Sequence, residues 1–293
     1  MHTTYLNFPA ADGYPLAGTL FEPKQPAVAA VLISAATGAP QRYYADYARY
    51  LARQGFIAMT YDYRGIAGSR WPAVRRGRKL RMRHWGERDM AGALQQLSQR
   101  YPGLPILALG HSVGGQLLGL APNNHRVTAQ LSIAAQSGYW GHWPLRQRLL
   151  AAACWNLVVP GAVALFGRLP EWVIGCELPA GIALEWARWG RNPHFISDDR
   201  GAPIREHFER YRGRMRFYAV ADDSVWGPAR AVEALAGFYR HADTELRLMR
   251  PQDHGIGSIG HFGFFRSSMP ASLWRETAQW LRDAARPALR QAA

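Results

Sequence analysis

The chain has 293 residues, 48% of them apolar, enough for one large core or for one domain with a sizeable insertion. Its two cysteines, Cys154 and Cys176, lack metal-ligand spacing, and nothing in the composition indicates disorder, repeats or low complexity, so disulfide frameworks, zinc modules and solenoids are set aside. The net charge of +14 comes almost entirely from arginine, with lysine only at Lys24 and Lys79 and a single dense cluster, and specific nucleic-acid binding is not expected.

The predicted elements alternate as an open, mostly parallel α/β sheet requires. Strands over 3–8 and 14–21 flank the turn Ala11-Asp12-Gly13 and read as a hairpin. A buried strand over 29–33 leads to a helix over 43–54 that Gly55 closes, and a strand over 56–63 follows. The dense basic cluster comes next, from Arg75 to Arg83. It reads first as a solvated loop and helix entrance, and second as weak attraction to an anionic membrane surface or a phosphate-bearing substrate. A helix over 86–100 precedes an apolar strand over 105–109, and another strand spans 129–135. Near the C-terminus, strands over 215–221 and 244–249 are followed by helices over 228–239 and 272–285.

Between about 138 and 213 the rhythm breaks. This stretch holds both cysteines, six of the eleven tryptophans and an uncharged run over 149–167. The run is long enough for a marginal transmembrane helix, but Pro160-Gly161 at its middle and Asn156 nearby favour a buried or interfacial helical hairpin. The expected organisation is therefore a core over 1–137, a helical lid over 138–213 whose apolar inner face forms an acyl pocket, and a returning core over 214–293. The first eight residues show no basic flank and apolar run of a signal peptide, so a cytoplasmic location is expected.

The most informative segment is Gly110-His111-Ser112-Val113-Gly114-Gly115, directly after an apolar strand and at the start of a helix. Such a turn strains the serine backbone and holds its hydroxyl at the carboxyl edge of the sheet, beside a helix N-terminus that favours developing negative charge. A serine hydroxyl needs a base, and the base needs a carboxylate to orient it. Asp222-Asp223 follows the strand over 215–221, and His254 and His261 lie in a glycine-rich loop after the last strand. The three roles thus occur in the order serine, acid, histidine, each at a strand end.

With Tyr61-Asp62-Tyr63-Arg64-Gly65, Trp85-Gly86 with Asp89, Leu178-Pro179-Ala180-Gly181, Glu185-Trp186-Ala187-Arg188-Trp189 and Gly260-His261-Phe262-Gly263, the chain resembles the α/β-hydrolase superfamily of serine hydrolases. The similarity is to the monoacylglycerol lipase and serine aminopeptidase-like group, closest to a poorly characterised bacterial branch, and runs from about residue 5 to 281. It implies an α/β-hydrolase fold with a mostly parallel central sheet, flanking helices and a helical lid insertion. It also implies Ser112 as nucleophile, His261 as general base and acid, and one aspartate as orienter. Asp223 is preferred because the family's acid precedes a proline by a few residues and Pro228 follows here, although the spacing is one residue long and keeps Asp222 open. His254 is the competing base, read as a loop histidine.

Two main-chain N–H groups should form an oxyanion hole. Val113 supplies one. The other belongs to Ser34-Ala35-Ala36-Thr37, where many relatives carry His-Gly; counting back from Tyr43-Tyr44 selects Ala36, with Thr37 as its neighbour. His111, Asp62, Arg64, Glu185 and Arg188 are read as structural. The expected activity is hydrolysis of carboxylic esters of apolar acyl groups through an acyl-enzyme on Ser112, with a small acyl compound as substrate. No metal or organic cofactor is implied, and the oligomeric state is open. Thioesters, amides, transfer to another acceptor, or a non-catalytic binding protein on the same fold are the alternatives.

Overall fold

The computed structural model describes residues 1–70 and 79–292. Of the basic cluster, Arg75, Arg76 and Arg78 lie outside the described residues. The strands are β1 (His2–Pro9), β2 (Pro15–Glu22), β3 (Ala29–Ser34), β4 (Phe56–Tyr61), β5 (Ile106–His111), β6 (Val127–Ile133), β7 (Arg168–Leu169), β8 (Leu178–Pro179), β9 (Arg214–Val220) and β10 (Asp243–Met249). The α-helices are α1 (Ala45–Arg53), α2 (Ala91–Arg100), α3 (Val113–Gln116), α4 (Leu145–Ala153), α5 (Val159–Phe166), α6 (Glu171–Ile174), α7 (Ala180–Arg191), α8 (Glu206–Arg210), α9 (Ala229–Ala236), α10 (Gly260–Gly263) and α11 (Ala271–Ala292).

Eight strands form one sheet in the order β1-β2-β4-β3-β5-β6-β9-β10. The hairpin β1–β2 is antiparallel, β2 meets β4 antiparallel, and the remaining pairs are parallel. Every residue of β3, β4 and β5 is buried, as expected for strands covered on both faces. β1 and β10 form the edges and carry mostly exposed or half-exposed side chains.

After β3 the chain first adds β4 on one side and later β5 on the other, so the strand order reverses between β3 and β5. In open α/β sheets a crevice forms outside the carboxyl ends of the strands at such a reversal. The register aligns Ser34 of β3 with Gly110 of β5, and Gly110 with Ser132 of β6, so the loops that follow these strands emerge together.

The segment between β6 and β9 adds no strand to this sheet; its only strands, β7 and β8, pair with each other. The hairpin expected over 149–167 is corrected here. α4, a wide turn over Cys154–Val158 and α5 run on as one helix, Leu145–Phe166. Pro160 has no N–H to offer Asn156 four residues earlier, and the π-type turn just before it takes up the widened backbone without reversing the chain.

Candidate active site

Ser112 stands between β5 and α3 with φ 52° and ψ −121°, a positive φ that non-glycine residues rarely adopt. The neighbouring glycines make the turn geometrically feasible. A Cβ on Gly114 would lie 2.1 Å from the Ser34 carbonyl oxygen, and one on Gly110 would lie 2.4 Å from the Gly115 backbone. The elbow is therefore packed directly against β3. The Ser112 hydroxyl makes no hydrogen bond to protein among the described residues, and it borders a cavity of about 230 Å³.

Asp222 and Asp223 both follow β9, but their side chains part. The Asp223 amide bonds back to the Val220 carbonyl at 3.0 Å, and this tight turn directs its carboxylate inward. Asp223 Oδ2 accepts from His261 Nδ1 at 2.6 Å, with both side chains almost wholly buried. Its other oxygen accepts from the Trp226 amide at 3.1 Å. A charge-assisted bond this short fixes the ring and leaves Nε2 as the free nitrogen.

Asp222 does different work. It accepts from Ser258 Oγ at 2.7 Å and from the amides of Ile259 and Gly260 at 3.0 and 3.1 Å, anchoring the loop that carries His261. Burial acts to raise its pKa, but these donors outweigh it and the net shift is downward. His254 lies apart, at 3.1 Å from Ser272 Oγ on the exposed side of the loop.

A relay not expected from the sequence joins the pieces. The Ala36 amide donates to Tyr44 Oη at 2.7 Å, and Tyr44 Oη lies 2.8 Å from His111 Nδ1. His111 Nε2 lies 2.8 Å from the His261 carbonyl oxygen, an acceptor only, so Nε2 carries the proton and Nδ1 accepts from the tyrosine. Burial, then the neighbouring His261, holds the His111 pKa well below its ordinary value, so the ring is neutral as this pattern requires. Burial likewise raises the Tyr44 hydroxyl, keeping it protonated. Three loops, after β3, β5 and β10, are thereby tied through two fully buried side chains. The sequence signal was slight: His111 occupies the variable position of the serine motif, and Tyr44 served only as a counting mark.

The relay corrects the assignment of Ala36. Its N–H is spent on Tyr44, inside the core, instead of facing the cavity. Thr37 borders the cavity with Ser112 and Val113, and its amide has no protein acceptor among the described residues. Gly38 (φ 69°) completes the loop beneath Cys176, whose Sγ would lie 2.3 Å from a Cβ there.

Apart from Gln116 of α3, the rest of the cavity wall comes from the segment between β6 and β9 and from the loop after β9. Trp143, Trp155, Trp186, Trp226, Leu150 and Ile174 make it largely apolar. No aspartate or glutamate lines it among the described residues. Cys154, in the same wall, and Cys176 are free thiols.

The residues read as structural hold the surroundings. Arg64 pairs with Asp89 at 2.6 Å and with Asp12 at 2.7 Å. Asp62 accepts from the Gln41 and Gly68 amides at 2.7 and 3.1 Å. Buried Glu185 pairs with Arg83 at 2.6 Å and Arg188 at 3.0 Å, pinning α7 to the segment before α2.

This sheet order, with a strained serine elbow after β5 and a histidine loop after β10, defines an α/β hydrolase. The family described as serine aminopeptidase, S33, matches over residues 25–200, more than half of the chain, and the protein belongs to it. Solved structures agree on the fold. A soluble variant of monoglyceride lipase from Saccharomyces cerevisiae, in complex with a substrate analogue, aligns with TM-score 0.66 at 12% identity, covering 96% of this chain and 94% of that one. The esterase domain of a Rhodothermus marinus protein aligns with TM-score 0.60 at 16% identity over 98% and 99% of the two chains. A Pyrococcus furiosus esterase aligns with TM-score 0.63 at 11% identity over 96% and 91%. A comparison with curated proteins finds no match.

Proposed function

We propose that this hydrolase cleaves carboxylic esters of apolar acyl groups by a serine acyl-enzyme mechanism. The observation that carries the proposal is the buried 2.6 Å pair between His261 Nδ1 and Asp223, the His261 carbonyl being tied at 2.8 Å to His111, the residue before a serine held at positive φ on the wall of an apolar cavity. His261 Nε2 takes the proton of Ser112 Oγ as the oxygen attacks the ester carbonyl carbon. The main-chain N–H groups of Val113 and Thr37 stabilise the oxyanion. Collapse expels the alcohol, which receives the proton from His261 Nε2. Water, deprotonated by the same nitrogen, then attacks the acyl-enzyme and releases the acid. Asp223 keeps the ring oriented and stabilises its imidazolium.

The acyl chain lies against the tryptophans, and residues 138–213 serve as the lid. The composition of the wall also supports esters over aminoacyl substrates. A free α-ammonium desolvated in this cavity would need a carboxylate partner, and none lines it among the described residues. Apolar acyl esters are therefore favoured over peptide N-termini.

The test is fluorophosphonate labelling of the purified protein together with turnover of p-nitrophenyl esters of graded chain length and of aminoacyl p-nitroanilides. Labelling at Ser112, loss of turnover in Ser112→Ala and preference for medium or long acyl esters are expected. Folded protein that is not labelled, or a Ser112→Ala variant that keeps its activity, refutes the mechanism. Preference for the anilides refutes the substrate class.

A further inference from the structure

The continuous helix Leu145–Phe166 is 22 residues long, and its most apolar 18-residue window has a mean hydropathy of 2.0, yet only 17% of that window is buried. A core helix of a soluble domain of this composition would be mostly covered. Its exposed positions follow one another at helical spacing. Leu149, Leu157 and Leu165 are 66–76% exposed, and Phe166 meets Trp172, itself 74% exposed, edge to face at 5.8 Å. The opposite side packs inward through Trp155, Val159, Ala162 and Val163. The helix is thus anchored along its length, with an apolar stripe turned outward, and it does not stand free to span a bilayer.

The charges on the helix itself are of one sign. The helix contains no acidic residue, and Arg146 and Arg148 lie in its first turn. Arg81 borders the groove beside Pro160 and Ala164. None of these three arginines forms an ion pair among the described residues, whereas Arg168, just past the helix, is paired with Glu177. On a chain of net charge +14, cations flanking an apolar stripe match a surface with anionic headgroups over hydrocarbon.

We infer that the outer face of Leu145–Phe166 docks the protein, lying flat, on an anionic lipid bilayer. The same helix lines the cavity of Ser112 through Leu150, Ala151, Cys154 and Trp155. A docked molecule therefore holds one wall of that cavity at the lipid boundary, where an acyl substrate can pass directly from the membrane; this delivery role rests on the reading of Ser112 given above. The docking itself does not.

Co-sedimentation of the full chain with vesicles tests it, using phosphatidylcholine alone and an equimolar mixture with phosphatidylglycerol. Wild type and Ser112→Ala are both expected to bind the mixed vesicles, at least tenfold more tightly than the neutral ones, with binding weakened by salt. Leu157→Asp combined with Leu165→Asp, two exposed positions off the cavity wall, should lower binding at least tenfold while turnover of a short, water-soluble ester stays unchanged. Failure of the wild type to bind mixed vesicles, or binding unchanged by the double substitution, overturns the proposal. Equal binding to both vesicle types overturns the anionic assignment. A dimer in solution that the double substitution dissociates would assign the stripe to a second copy of the chain and overturn it as well. If vesicles bind but no ester is turned over, the docking stands and the catalytic reading falls.

Discussion

Replacing Tyr44 by phenylalanine removes one oxygen atom and keeps the ring packed against Phe265 and His111. That oxygen accepts from the Ala36 amide at 2.7 Å and donates to His111 Nδ1 across 2.8 Å, in a region closed to water. The variant would bury one donor and one acceptor without partners, at about 1–3 kcal/mol each. Relief from desolvating the tyrosine hydroxyl offsets part of this, so a net loss of about 2–5 kcal/mol is expected, or roughly 5–12 °C in Tm for a chain of this size. Activity should fall further than stability implies, because the loop after β3 and the backbone of His261 lose their common tie; displacements near 1 Å at a reacting centre cost up to about 100-fold in rate. Tyr43→Phe is the control: its hydroxyl also reaches a carbonyl in the histidine loop, that of Phe262 at 2.5 Å, but from a half-exposed position where water can substitute. Thermal melts and kcat on a p-nitrophenyl ester, measured on both variants, decide the matter. A Tyr44→Phe variant within about 1 °C of wild type, with kcat within about twofold, would show that the relay carries no weight.

Asp223→Asn should lower kcat by about 10⁴-fold with the fold retained, because an amide cannot hold the required tautomer of His261; Asp222→Asn, which only loosens the loop, should lose about tenfold, and the reverse order would exchange their roles. Gly114→Ala should yield no soluble active enzyme, since the added carbon would lie 2.1 Å from the Ser34 carbonyl oxygen; recovery of a folded, active variant would contradict the packing of the elbow. Acidification supplies a fourth test through His111, whose folded pKa is held well below its ordinary value of 6.5 by burial and by His261. The unfolded chain takes up a proton there that the folded chain refuses, so stability is lost as pH falls below 6.5, at up to about 1.4 kcal/mol per pH unit. Urea unfolding at pH 7.5 and 5.5 should show a steeper loss for wild type than for His111→Gln, and parallel losses would remove His111 as the cause.

The sheet and the elbow were legible because their signals are local. β3, β4 and β5 are continuous apolar runs, and Gly110, Gly114 and Gly115 mark a turn that admits no side chains. Adjacent aspartates after one strand were harder to tell apart, because they are the same residue type and their spacing to Pro228 differs by a single position. The turn that bonds the Asp223 amide to Val220 is what sends one carboxylate to His261 and the other to the loop over Ser258–Gly260. Counting from Tyr43-Tyr44 selected Ala36 because a count cannot register that the second tyrosine folds back onto the very amide being counted. The helix Leu145–Phe166 was misread as a hairpin for a related reason. Proline inside a helix removes an N–H and crowds the preceding turn, but a single widened turn accommodates it as well as a reversal does.

The separate supports of elbow and insertion bear on how this protein could diversify. Gly110, Gly114 and Gly115 leave the serine turn no slack, and the relay locks it to its neighbours, so almost any change there should disrupt the elbow. The stretch between β6 and β9 shares no strand with the sheet and joins it only at two points in the chain. If the proposed roles hold, exchanging this stretch between Ile133 and Arg214 for that of another member of the fold, with the contacts of Glu185 to Arg83 and of Cys176 over Gly38 carried along, would change the acyl wall while the sheet and the serine elbow keep their own supports.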